Sequence, residues 1–177
     1  FYKKWNEIIL QIVQAIIVNI NQNNLIRQDS GPWEHHLPGR QFIFTNAVCA
    51  KGLFDIAQFQ KKLGYKYDFI ETAAIHLKES IIKNYLIDNK YFKGSVQDSM
   101  HQHYYYDGAT FEVFANGLIN DGKLFSSHMK EYNKQLRAAH DSSRGYIRFN
   151  SSDSYENQEW PFAGLRLAVA HNHFGNK

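Results

Sequence analysis

The residues of this chain that could do chemistry gather in two stretches far apart in the sequence. The first runs Trp33-Glu34-His35-His36-Leu37-Pro38-Gly39-Arg40-Gln41-Phe42-Ile43-Phe44-Thr45-Asn46-Ala47 and sets an acid directly beside an indole. Gly31, Pro32, Pro38 and Gly39 bracket the pair, so Trp33 and Glu34 are expected on a shaped loop. A carboxyl group partly desolvated by a neighbouring indole keeps its proton near neutrality. General-acid catalysis on a sugar leaving group requires such a proton. The plainer alternative is an ordinary loop glutamate with a structural tryptophan next door.

The second stretch runs from Tyr146 to Trp160 and packs Arg148, Asp153, Tyr155 and Trp160 into a loop before a helix. Arg and Asp offer hydrogen bonds to hydroxyl groups, and Tyr and Trp offer stacking faces. Its plainer alternative is an exposed loop stapled by an Arg148–Asp153 ion pair worth about 0–1 kcal/mol. Asn150-Ser151-Ser152 is a glycosylation sequon, and a glycan there would block a cleft lined by this loop.

Six helices are expected to position these stretches. Trp5, Ile8, Ile9, Ile12, Val13, Ile16, Ile17 and Ile20 recur at helical spacing and predict a core-packed amphipathic helix before the first stretch. Thr45 can cap a second helix, which stops at Gly64 and turns Ala47, Val48, Ala50, Leu53, Phe54, Ala57 and Phe59 to one side. Asp68 can cap a third, with Ile70, Ala73, Ala74, Leu77, Ile81 and Leu86 facing inward. Asp107 reads as the cap of a short fourth carrying Phe111, Val113, Phe114 and Leu118. A fifth spans Leu124 to Ala139, and Pro161 opens a sixth that closes at Gly175. No strand is convincing. The fold class is all-α with loops long for a simple bundle, and long loops are where function concentrates.

Composition narrows the function. With 20 Lys and Arg against 17 Asp and Glu, the positive excess is small and scattered, so a nucleic-acid partner is not suggested. No window is apolar enough to span a bilayer, and no membrane partner is indicated. Eleven Tyr, 13 Phe and 3 Trp suit a thick core and equally suit sugar-stacking clefts. The single cysteine, Cys49, excludes an internal disulfide and reads as a core thiol. The pairs His35-His36, His101-x-His103 and His171-x-His173 lack zinc-protease spacing and any supporting cysteines, so no metal is assigned. Nucleophile-elbow, phosphate-loop and dinucleotide-binding motifs are absent, and no cofactor is called for. The chain opens at Phe1 already in a helical pattern, which suggests a piece of a larger protein.

Two motifs together give the chain a family likeness. Trp33-Glu34, followed by Phe44-Thr45-x-Ala47-Val48 and a helix with Leu53, resembles the acid motif of glycoside hydrolase family fifteen, the glucoamylases and their relatives. Gly145-x-x-Arg148-Phe149 leading to Asp153-Ser154-Tyr155 and Trp160 is similar to that family's Gly-Arg-Tyr…Asp-x-Tyr…Asn-Pro-Trp segment. Between them, Asp107-Gly108-Ala109-Thr110 resembles its Asp-Ala helix start, and the order holds over residues 25–175. The resemblance implies an (α/α)6 toroid, about half of it in residues 1–177, as a catalytic-domain fragment. It implies Glu34 as general acid and Trp33, Arg148, Asp153, Tyr155 and Trp160 as substrate-binding residues. The activity implied is inverting, exo-acting release of glucose from non-reducing ends of α-glucans or maltooligosaccharides.

The chain departs from the family pattern at several points. His35 stands where a second acid usually follows, Gly31 where an Asp often precedes, and Gln158-Glu159 where the family has Asn-Pro. The family's general base, a Glu in a Glu-Gln motif, has no counterpart here; Glu156 and Glu159 are poor substitutes, so the base is expected outside the chain. Trehalose- and dextran-acting enzymes of the family share the pattern. A non-catalytic carbohydrate-binding or regulatory relative and a plain helical scaffold are the readings from other classes.

Overall fold

The computed structural model describes residues 2–34, 39–137, 145–149, 151, 153, 155–156 and 158–175, with the backbone alone for residues 2–4. His35, His36 and Pro38 of the first stretch, Ala139 of the fifth expected helix, and Asn150 and Ser152 of the sequon lie outside the described residues.

The described chain is mostly helical. Helices α1 (Tyr2–Val18), α2 (Ile43–Lys62) and α3 (Asp68–Tyr85) come first, then a hairpin of β1 (Leu86–Ile87) and β2 (Tyr91–Phe92). A 3-10 turn at Gly108–Phe111 runs into α4 (Glu112–Ala115), followed by α5 (Gly122–Gln135) and α6 (Pro161–His173). The hairpin corrects the expectation that no strand would form. Asp88 and Asn89 both have positive φ, 49° and 55°. Two consecutive left-handed residues make the tight turn that matches the twist of a two-stranded ribbon, and Asp and Asn tolerate that conformation best after Gly.

The helix starts divide. Asp107 caps the 3-10 turn as expected, its side chain accepting from the Ala109 amide, and Pro161 stands at the first turn of α6. Thr45 and Asp68 do not cap. Helix α2 begins before Thr45, whose hydroxyl donates instead to Asp29 Oδ1 at 2.7 Å, and Asp68 is already helical behind Tyr67. Asp121 caps α5 by accepting from the Lys123 and Leu124 amides.

Helices α2 and α3 pack as a hairpin that buries Ala47, Ala50, Leu53, Ile70, Ala74, Leu77 and Ile81. The centre beyond it is aromatic: Tyr85, Phe92, Phe111, Phe114, Phe125 and Tyr132 are fully buried, each such ring contributing about 1.5–3 kcal/mol over its exposed state. His128 lies in this core, stacked on Tyr132 with ring centroids 4.0 Å apart. The expected inward side of α1 is not buried as a stripe: Val13 is, but Trp5, Ile8 and Ile12 stay exposed. Val48 and Phe59 of α2, Phe69 and Ile75 of α3 and Leu165 of α6 are exposed too. Periodicity identified the helices but not which apolar positions this chain covers.

Candidate active site

The loop carrying Trp33 and Glu34 is held from behind by Asp29. Its Oδ1 accepts the Gly31 amide at 2.7 Å and the Thr45 hydroxyl, and Oδ2 accepts the Phe42 amide at 3.3 Å. One carboxylate therefore ties the loop to the first turn of α2, and burial raises its pKa above the ordinary value despite those three donors. Gly31 takes φ +62°, a left-handed turn where a Cβ would meet the Phe42 ring at 3.1 Å. The chain then rises into Trp33, which is half-buried, and Glu34, which is exposed.

A second anchor comes from more than seventy residues away: the Trp33 indole Nε1 donates to Asp107 Oδ1 at 2.9 Å. Asp107 is 1 % exposed, and its Oδ1 also accepts the Ala109 amide at 2.7 Å. Its Oδ2 is buried and has no hydrogen-bond partner among the described residues. Burial pushes this carboxyl from 3.8 up to about 7, against the Ala109, Trp33 and Arg148 contributions that favour the anion. Gly94 explains how the backbone comes so close: a Cβ there would sit 2.5 Å from Asp107 Cβ and 2.6 Å from the Tyr104 carbonyl oxygen.

Asp107 also aligns the second stretch. It bridges Phe149 in antiparallel pairing, and the Gly108 amide donates to the Arg148 carbonyl at 2.9 Å. The Trp160 amide donates to the Tyr146 carbonyl at 3.0 Å and closes the loop between them. Arg148 is thereby brought over the first stretch. Its guanidinium carbon lies 4.2 Å from the Trp160 ring centre, 5.3 Å from Phe149, and 5.4 Å from both Trp33 and Tyr155. Trp33 meets Trp160 edge-on at 5.6 Å, and Tyr155 meets Trp160 edge-on at 5.5 Å. Stacking of a guanidinium on rings is worth about 0.5–2 kcal/mol, more when desolvated.

Three expectations are corrected here. Arg148 does not pair with Asp153: it makes a two-pronged ion pair with Glu156, both side chains buried. Burial works against the guanidinium's charge, but Glu156 outweighs it and holds Arg148 above its ordinary pKa. Two of the donors assigned to sugar hydroxyls are thus used within the chain. Asp153 is exposed and turned to its own backbone, where Oδ1 accepts the Tyr155 amide at 2.8 Å. Glu34 does not lie in a dry pocket; the desolvated carboxyl beside the indole is Asp107, reached through the ring's N–H rather than along the chain.

Of the residues expected at the site, Trp33, Arg148, Tyr155 and Trp160 converge; Glu34 follows Trp33 in the chain and is exposed, and Asp153 is exposed with its carboxylate on the Tyr155 amide. Asp29, Asp107 and Glu156 were not among the expected site residues. Asp29 carried a local signal, an Asp two residues before a Gly, which favours a side-chain-to-amide turn. Asp107 was legible as a cap but not as an indole acceptor. Among the described residues no three His, Cys, Asp or Glu side chains form a group that could hold a metal ion. No protein-family model and no curated protein matches this chain.

Proposed function

We propose that this chain is part of the catalytic domain of an inverting, exo-acting α-glucosidase of the glucoamylase type, contributing about half of an (α/α)6 toroid. The observation that carries this reading is the convergence of Trp33, Arg148, Tyr155 and Trp160, drawn from segments more than a hundred residues apart, with Glu34 following Trp33 in the chain. Half-exposed rings around a buried cation suit the C–H faces of a sugar and the partial charges of its ring. The backbone at Glu34 adds support. Among the described residues the non-glycines with positive φ are Asn24, Glu34, Asp88 and Asn89; Asn and Asp tolerate that region, whereas Glu seldom adopts it. A strained residue on an anchored loop is a frequent feature of reactive sites.

In this reading Glu34 protonates the glycosidic oxygen and the leaving sugar departs with that proton. A second carboxylate takes a proton from water attacking the opposite face, roughly 6.5–9.5 Å away, and the anomeric configuration inverts. Glu156 cannot be that base because Arg148 occupies it, and Asp107 is too deeply buried to touch a substrate. Glu159, exposed on the same loop, remains a poor substitute, and this reading assigns the base to another segment. With Glu34 exposed, its desolvation has to come from bound sugar and from chain covering the loop. The exposed Trp5, Ile12, Phe69 and Leu165 are apolar surface that further helices of a toroid would cover.

The test is hydrolysis by the intact protein. Glucose release from maltose is expected from the wild type and lost in Glu34→Gln, with maltose binding retained. Trehalose and isomaltose tested in parallel separate the trehalase and dextran-acting alternatives. Wild-type turnover in Glu34→Gln would remove Glu34 from the acid role, and no turnover by the wild type on any of the three sugars would favour a non-catalytic sugar-binding relative.

A further inference from the structure

We infer that Asp107 is a positioning residue whose own proton sets how firmly the Trp33–Glu34 loop is held. The geometry is specific. The Trp33 indole N–H reaches across to a carboxylate that is closed off from water and already fixed by the Ala109 amide. The Asp107 side chain packs directly on the Gly94 backbone, where an added Cβ would lie 2.5 Å from Asp107 Cβ. Trp33 in turn forms one wall of the ring cluster around Arg148, so moving the indole moves the cluster and the residue next in sequence, Glu34.

A hydrogen bond to an ionised acceptor is roughly twice as strong as one to a neutral acceptor. Ionised Asp107 grips the indole; protonated Asp107 holds it with a weaker, neutral bond. Burial brings this change to about 7. The groups facing the carboxyl can be named. Arg148 draws the value down and Glu156 draws it up, both from the second stretch, while Tyr132 of α5 and Tyr104 are neutral hydroxyls that feel its charge. The nearby imidazole is His103, whose ring packs on Phe149 and Tyr104, each 4.7 Å away. The loop's response stands on these contacts alone. Its consequence for proton transfer by Glu34 rests on the reading of the preceding section.

The experiment follows the three indole N–H resonances of the full chain by NMR from pH 5 to 9, with Trp33→Phe identifying the Trp33 signal. The Trp33 resonance is expected to move downfield as pH rises, with one transition near pH 7 that persists in His103→Gln and disappears in Asp107→Asn. The side-chain carboxyl carbon of Asp107, labelled with ¹³C in the wild-type chain, is expected to titrate with the same midpoint. That comparison requires no Asp107 variant to fold. A Trp33 signal that does not titrate, a transition that survives Asp107→Asn, or midpoints that do not coincide would overturn the inference. Failure of the intact protein to hydrolyse sugar would instead count against the glycosidase reading and leave this one standing.

Discussion

Replacing Asp107 by Asn should alter how stability depends on pH more than stability at any single pH. The carboxyl ordinarily titrates at 3.8 and burial lifts it to about 7 in the folded chain. The unfolded chain therefore gives up this proton first. Between those values the folded state binds more protons, and each unit of rising pH costs about 1.4 kcal/mol of stability until the folded carboxyl also ionises. The whole interval is worth about 4 kcal/mol, an order-of-magnitude figure for a fully buried group. The contribution is favourable below pH 4, falls through the interval and levels off above 7. The Asn variant lacks this slope. It keeps an oxygen for the Trp33 and Ala109 N–H groups but places an amide N–H where Oδ2 has no hydrogen-bond partner, a pH-independent cost of about 1–3 kcal/mol. Relative to wild type the variant therefore gains about 4 kcal/mol between pH 4 and pH 8. Urea unfolding of both proteins from pH 4 to 8 measures the difference, in which the other titrating groups largely cancel. Stability differences that stay constant to within 1 kcal/mol across that range would refute the assignment of the buried proton to Asp107.

Two further predictions concern neighbouring groups. His128 is buried against Phe92, Phe114 and Tyr132; its Nδ1 accepts the Phe92 amide at 3.2 Å, which leaves the proton on Nε2 facing Thr110 Oγ1. Burial lowers its pKa from 6.5 to about 3, so the stability it supports is present above 6.5 and lost as pH falls toward 3, the reverse of Asp107. ¹⁵N NMR should find the ring neutral, with an unprotonated Nδ1, at pH 5; a charged ring there would contradict this. Glu156→Gln should cost about 3–5 kcal/mol by leaving the Arg148 guanidinium buried without its counter-charge, whereas Asp153→Asn should change stability by less than about 1 kcal/mol. Comparable losses in the two variants would mean that Arg148 pairs with Asp153 after all.

The opposite slopes of Asp107 and His128 overlap between about pH 4 and 6.5, so the wild-type curve alone conceals both. The difference between wild type and Asp107→Asn isolates the Asp107 slope, because His128 contributes equally to both.

Legible from residue order alone were the helices, the cap at Asp107, the proline that opens α6, and the two stretches in which indoles, acids and an arginine are concentrated. Those features depend on residues close in sequence: apolar spacing, capping side chains and turn residues act over a few positions. Even the missed hairpin had its signal in Asp88-Asn89. Pairing across the chain was settled only by tertiary structure. Nothing local distinguishes Asp153 from Glu156 as the partner of Arg148, because both are acids on the same loop. Likewise, nothing near Trp33 indicates that its N–H will find a carboxylate at position 107, or that burial will shift that acid's proton rather than Glu34's. Desolvation and charge pairing depend on what surrounds a group in space. Here the close approach at Gly94 and the bridge between Asp107 and Phe149 decided which carboxyl would be dry.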